Sequence, residues 1–218
     1  RKQLVLEMEK VGLNSVSLVI ILSFFVGAVV SIQTAFNMNS PLLPSYLVGL
    51  ASRDSLILEF SPTMISLILA GKVGSSIASE IGSMRVTEQI DALEIMGINS
   101  ASFLILPKII AAIFFFPFLI TMSMGVGMIG AWVGGLSAGI TTADFMYGLK
   151  YDFNSFYITY AIIKTTVFAF IISSVSAYFG YHTKGGAIAV GRASTTAVVS
   201  SSILILLFNY ILTDIILS

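Results

Sequence analysis

The sequence predicts an all-α integral membrane protein. It should have five transmembrane helices, a short cytoplasmic helix between the second and third, and the remnant of an interfacial helix at the N-terminus. Three observations lead there. Of the 218 residues 56% are hydrophobic and only 10% charged, where soluble domains carry about 25% charged residues, and the mean hydropathy is +0.98. Intervals free of Asp, Glu, Lys and Arg recur at 11–52, 109–143, 165–183 and 193–213. Finally, Glu80, Arg85, Glu88, Asp91 and Glu94 gather in the single polar stretch "EIGSMRVTEQIDALEIMG" (80–97).

An ionised side chain at the bilayer centre costs about 2.5 kcal/mol or more on insertion scales, so the charge-free intervals mark spans, each able to hold the roughly 20 residues required. Spans are expected at about 13–35, 104–136, 156–180 and 194–217. A further one at 56–78 is long enough if Glu59 and Lys72 lie near its ends. Residues 1–10, "RKQLVLEMEK", read as an interfacial helix with charged ends. The apolar outer loop "NMNSPLLPSYLVGL", with Pro41 and Pro44, reads as a segment resting at the membrane surface or under an outer partner. With no low-complexity linker and no internal repeat, residues 1–218 read as one domain. In the third span, Gly130 with Gly134 and Gly135 with Gly139 have the spacing that lets helix backbones approach closely, most simply within one protomer. Pro107 and Pro117 should bend that span or set its entry angle.

Lys and Arg concentrate on the side that holds Arg1, Lys2, Lys10, Lys72, Arg85, Lys108, Lys184 and Arg192, against Arg53 and Lys150 on the other. The positive-inside rule therefore puts the N-terminus and residues 80–102 and 181–193 in the cytoplasm, and the C-terminus outside. Within 86–97, Thr87 reads as the N-cap and Gly97 as the C-terminal stop of a helix. Val86, Ile90 and Leu93 share one face, with Glu88 and Asp91 pointing away. Such a helix is either a solvated connector or a dock for a cytoplasmic partner. Arg85 could pair with the partner, or with Glu80 or Glu88 of its own chain.

The composition excludes much chemistry. Cysteine is absent and histidine occurs once, as His182 in a loop, so neither a metal cluster nor a nucleophile triad is expected. "AGKVGSS" is not a phosphate-binding loop, because Ser66 and Val73 stand where Walker A needs Gly and Ser or Thr. A net charge of zero argues against nucleic acid. Among residues within the spans, Glu59 and Lys164 are functional candidates as intramembrane charges. The structural alternative is that Lys164 snorkels outward or pairs with an acid such as Glu59.

"AGKVGSSIASEIGSMRVTEQIDALEIMGIN" (70–99), Gly27 with Gln33, and "GYHTKGGAIAVGRASTTAVVSSSILILLFNYILT" (180–213) together resemble the MlaE-type permeases, the membrane subunits of MCE-associated ATP-binding-cassette lipid transport systems. Leu58-Glu59-Phe60-Ser61-Pro62 keeps the Glu and Pro of that family's Arg-Glu-Leu-Gly-Pro run but lacks its Arg and Gly, and Thr196 stands where many members have Arg. The resemblance implies a homodimer in the bacterial inner membrane that moves phospholipid or a related lipid between inner and outer membranes. It would have no cofactor of its own; ATP and Mg would sit on cytoplasmic ABC ATPase subunits. An MCE-domain lipid-binding protein would lie on the outer face and a small STAS-type subunit in the cytoplasm. Arg85, Thr87, Glu88, Gln89, Asp91, Glu94 and Met96 would then couple to the ATPase. Gln33, Leu58, Glu59, Met64, Leu67 and Lys164 would be candidates for the lipid cavity, which the first, second and fifth spans would line. The alternative function is a stand-alone secondary transporter or channel with Glu59, Lys164 and Asp214 as coupling groups, although inverted repeats and a midplane acid pair are not evident. A scaffold that only holds an assembly together is a third.

Overall fold

The computed structural model describes residues 6–38 and 43–217. Among these the regular elements are all helical: α1 (Leu6–Asn37), α2 (Tyr46–Val86), α3 (Gln89–Ile95), α4 (Ser100–Ser137), α5 (Thr142–Lys150), α6 (Phe156–Tyr181) and α7 (Ala187–Leu217). Helices α1, α2, α4, α6 and α7 are each long and apolar enough to cross a membrane, which bears out the five spans. Most outrun the intervals expected from charge alone. The 38 residues of α4 extend about 57 Å at 1.5 Å per residue, against about 30 Å of hydrocarbon. Even allowing for tilt, part of that helix stands at headgroup level or in water, where charged side chains are tolerated.

The described part of the N-terminal segment, from Leu6 on, runs into the first span through a π-helical turn at Glu9–Leu13; residues 1–5 of the expected interfacial helix lie outside the described residues. In the outer loop, Pro41 lies outside them too. Tyr46–Ser55, expected as loop, is the helical start of α2. That helix contains π-helical segments at Leu56–Met64 and Ala70–Gly74. Pro62, inside the first, has no N–H to donate and its ring crowds the preceding turn. A widened turn absorbs both defects without ending the helix. Helix α4 continues through Pro107 and Pro117.

The chain forms two compact units: one of the chain up to Ser15, Ser66–Pro117 and the chain from Lys164 on; the other of Val16–Ile65 and Phe118–Ile163. In the second unit Val30, Leu56, Ala131 and Phe145 form a buried apolar core flanked by Val26, Phe60 and Trp132. There α1 and α4 touch backbone to backbone. A Cβ added at Gly130 would stand 2.0 Å from the Phe24 carbonyl oxygen, and one at Gly134 2.3 Å from that of Ala28. Ser23 Oγ donates to Ser123 Oγ at 2.8 Å along this seam. The Gly130/Gly134 pair thus packs helices within the protomer, as expected. The pairing of Gly135 with Gly139 is corrected: Gly139 has φ +87° and follows the end of α4. Its N–H bonds to the Leu136 carbonyl and that of Ile140 to the Gly135 carbonyl, the paired bonds of a left-handed helix stop. Buried Arg53 seals the end of α5, donating to the carbonyls of Leu149 and Tyr151 at 2.9 and 2.7 Å.

In the first unit the second half of α2 packs on α6 and α7. A Cβ added at Gly180 would lie 2.8 Å from the Ala78 carbonyl oxygen, and Ser194 Oγ donates to the Ser75 carbonyl at 3.2 Å. Helix α7 leaves Val199, Ile203, Leu206, Tyr210 and Ile215 exposed along its length.

Candidate functional site

The polar stretch that stood out in the sequence becomes α3, shorter than the expected 86–97. Thr87 is not its N-cap but the end of α2, where its hydroxyl donates to the Ser83 carbonyl at 2.9 Å. The residue preceding α3 is Glu88, held at φ 59° with no side-chain cap bond. The chain reverses so tightly between α2 and α3 that one residue must take the left-handed conformation, and here it is not glycine. Gly97 does stop the helix. At φ +75° its N–H bonds to the Glu94 carbonyl and that of Ile98 to the Leu93 carbonyl, as a left-handed cap requires.

Three neighbouring elements hold α3 in place. Ile90 is fully buried, so the apolar face does anchor the helix. Asp91 is half-exposed but not free: Arg85, at the end of α2, bonds to it at 2.5 Å, with its guanidinium 5.7 Å from the Tyr181 ring centroid. Glu94 accepts from Tyr181 at the end of α6 at 2.8 Å and from Ser100 at the start of α4 at 2.9 Å. The Tyr181 hydroxyl, and secondly that of Ser100, hold the Glu94 carboxyl below its ordinary value of 4.5, because both bonds favour the charged form. Gln89 Nε2 donates to the Thr87 hydroxyl at 3.0 Å. Thr87, Glu88, Gln89, Ala92 and Glu94 are exposed along the turn and α3, and so are the large apolar Ile95 and Met96, 88% and 65% exposed. Ile95 was missed in the sequence because it lies off the 86/90/93 stripe.

In the second unit, α1 and the π segment of α2 frame an open apolar cleft of about 360 Å³ whose lining includes Phe25, Val29, Gln33, Phe60 and Met64. Two expected cavity residues, Gln33 and Met64, are brought together here; Phe25, Val29 and Phe60 were not singled out. Their signal was present as spacing, since 25, 29 and 33 recur every four residues on one helical face. Glu59 and Leu58 are half-buried on the same π segment outside this lining, and Thr63 donates to Glu59 at 3.1 Å. Leu67 and Lys164 belong to the first unit. Lys164 is fully buried, which corrects the reading that it snorkels to the surface.

A family model described as Permease MlaE matches residues 4–215. The chain belongs to the MlaE permease family. A probable ABC transporter permease protein of Rickettsia bellii is 40% identical over 210 residues, covering 94% of this chain and 79% of that protein. A probable ABC transporter permease protein of Synechocystis is 34% identical over 213 residues, 97% of this chain and 81% of that one. The chloroplastic protein TRIGALACTOSYLDIACYLGLYCEROL 1 of Arabidopsis thaliana is 33% identical over 209 residues, 95% of this chain and 59% of its own length. In this MlaE-family ABC transporter permease, a multi-pass membrane protein, α3 lies outside the spans and is tied directly to α2, α4 and α6.

Proposed function

We propose that the chain is the permease subunit of an ATP-driven transporter that carries phospholipid or a related lipid between the inner and outer membranes of a bacterial envelope. The observation that supports this most is the fastening of α3. Ile90, Asp91 and Glu94 fix it to the ends of α2, α4 and α6, so a push on its outer edge is passed to three spans at once. A surface that bound both states of a partner equally would shift no equilibrium, and the exposed Glu88, Ile95 and Met96 are groups free of the fastening that can meet an ATPase. ATP and Mg belong to that ATPase. The cleft at Phe25, Val29 and Met64 suits acyl chains, and the name of the Arabidopsis relative is that of a glycolipid.

In this reading the protein sits in the inner membrane with its N-terminus and α3 in the cytoplasm. It works as a homodimer whose second copy closes the cleft into a lipid chamber and covers part of the bare α7 face. Glu59 and Lys164 lie toward the outer half of the spans. An MCE-domain lipid-binding protein meets the outer face and a small STAS-type subunit the ATPase. Charge introduced at Ile95 and Met96 together (Ile95→Asp, Met96→Asp) separates docking from folding, since both side chains are exposed. The double variant should insert and dimerise yet fail to hold the ATPase in a pull-down. Retention at the wild-type level would reduce α3 to a connector.

A further inference from the structure

A second pocket, wholly within the first unit, is unlike the apolar cleft. Its volume is about 200 Å³ and its lining includes Lys10, Lys72 and Lys108, Ser15 and Ser76, and Glu80. Most of the charge is internally matched. Lys108, 3% exposed, bonds to Glu80 at 2.7 Å and to Glu7 at 2.9 Å, and Lys10 bonds to Glu80 at 3.1 Å. Lys72 differs: its ammonium donates to the carbonyl of Asn14, a neutral acceptor, and no carboxylate among the described residues lies within ion-pair distance of it. An ammonium has three donors, so donors remain for a ligand. Ser76 stands four residues on, and Glu80 four beyond that, along one row of α2. From α1, Ser15 adds a hydroxyl that is fully buried and unpartnered among the described residues, an arrangement that costs free energy unless something bonds to it.

We propose that Lys72, Ser76 and Ser15 form a phosphate site for the headgroup of a phospholipid, at the leaflet on the α3 side of the protein. Three lysines against Glu7 and Glu80 leave the pocket net positive, and hydroxyl and ammonium donors match phosphate oxygens. Lys108 lies eight residues into α4, about 12 Å from its α3-side end, a depth that suits headgroups given how far α4 exceeds the hydrocarbon thickness. The apolar cleft belongs to the other unit, so this site would be one at which lipid is held by its head rather than by its tails. It deepens the lipid-permease reading and rests on it only for the choice of lipid over free phosphate.

Native mass spectrometry of the purified chain in detergent, without ATPase or ATP, tests the proposal with three probes: dihexanoyl phosphatidylglycerol, dihexanoylglycerol and inorganic phosphate. The phospholipid should bind and dihexanoylglycerol should not. Lys72→Gln should weaken phospholipid binding about ten-fold, Ser15→Ala several-fold, and Lys72→Arg should keep it. Ser15→Ala removes one oxygen and guards against a misfolded lysine variant. Equal binding by the wild type and both of these variants, or equal binding of dihexanoylglycerol, would overturn the site. Inorganic phosphate competing as well as the phospholipid would overturn the lipid as its ligand. Because no transport is measured, failure here leaves ATP-driven transfer standing, and failure of transfer leaves this binding result standing.

Discussion

Gly130→Ala should destabilise the protein through one contact. The new Cβ would sit 2.0 Å from the Phe24 carbonyl oxygen, so the contact must lengthen by about 1.4 Å to reach the 3.4 Å of ordinary packing. The obstacle is backbone, so no side chain can rotate away and α1 must draw back from α4. A gap of 0.5–1 Å already forfeits about a quarter to a half of each dispersion contact, and overpacking of this kind costs about 1–3 kcal/mol. The control is Gly125→Ala on the same helix, where an added Cβ meets nothing within 4 Å. Both substitutions carry the same gain in helix propensity, about 1 kcal/mol, so their difference isolates the seam. Trp132 is the only tryptophan in the chain and packs beside the core of this unit, so its fluorescence during unfolding in detergent reports the region directly. Gly130→Ala should unfold below Gly125→Ala by the equivalent of about 1–3 kcal/mol. Coincident unfolding curves for the two variants would refute the close approach of α1 and α4.

Three further outcomes follow from the side of the molecule that holds α3. Lys108→Met should cost about 3 kcal/mol, the lower end for breaking a buried pair, because Glu7 would lose its hydrogen-bonded partner while Glu80 keeps Lys10; an unchanged unfolding midpoint would show the pair to be unimportant. Ile90→Ala removes a fully buried side chain, a change worth about 2–5 kcal/mol, and should free α3 so that trypsin cuts faster after Arg85; wild-type resistance would contradict the anchoring. Since the Glu94 pKa lies below 4.5 in the folded protein, its contribution is present above that value and lost as pH falls through the lower folded value. Protection factors over 89–96, taken against the intrinsic exchange rate at each pH, should fall on acidification in that window, and Glu94→Gln should be less protected already at neutral pH; protection in that variant equal to the wild type would remove Glu94 as a fastening.

How much of this could be read beforehand differs by residue. The five spans were legible because charge is excluded from hydrocarbon, and the Gly130/Gly134 seam and the Gly97 stop were legible because glycine spacing and helix-ending glycine have direct geometric meanings. Helix ends were less so. Lys10 and Lys108 looked like boundaries, yet each is matched by an acid distant in sequence, and pairing of that kind leaves no local trace. Thr87 misled for a related reason: a threonine before an acidic turn fits an N-cap, but Thr87 closes α2, and its hydroxyl accepts from the Gln89 side chain, with Glu88 at the position before α3. Asp91 looked free because nothing local shows that the chain turns back at Glu88 and brings Arg85 to it. The phosphate pocket was hidden because Ser15 and Lys72, 57 positions apart, meet only through the packing of α1 on α2.

The proposed function has ATP hydrolysis elsewhere, passed through α3, move lipid held by this chain. Its most direct test is transfer of a fluorescent phospholipid from liposomes holding the permease and its ATPase to acceptor vesicles carrying the lipid-binding partner, with and without ATP. Transfer should depend on ATP and fall sharply in the Ile95→Asp, Met96→Asp double variant. Transfer indifferent to ATP, or flux of a small solute with no lipid moved, would contradict it.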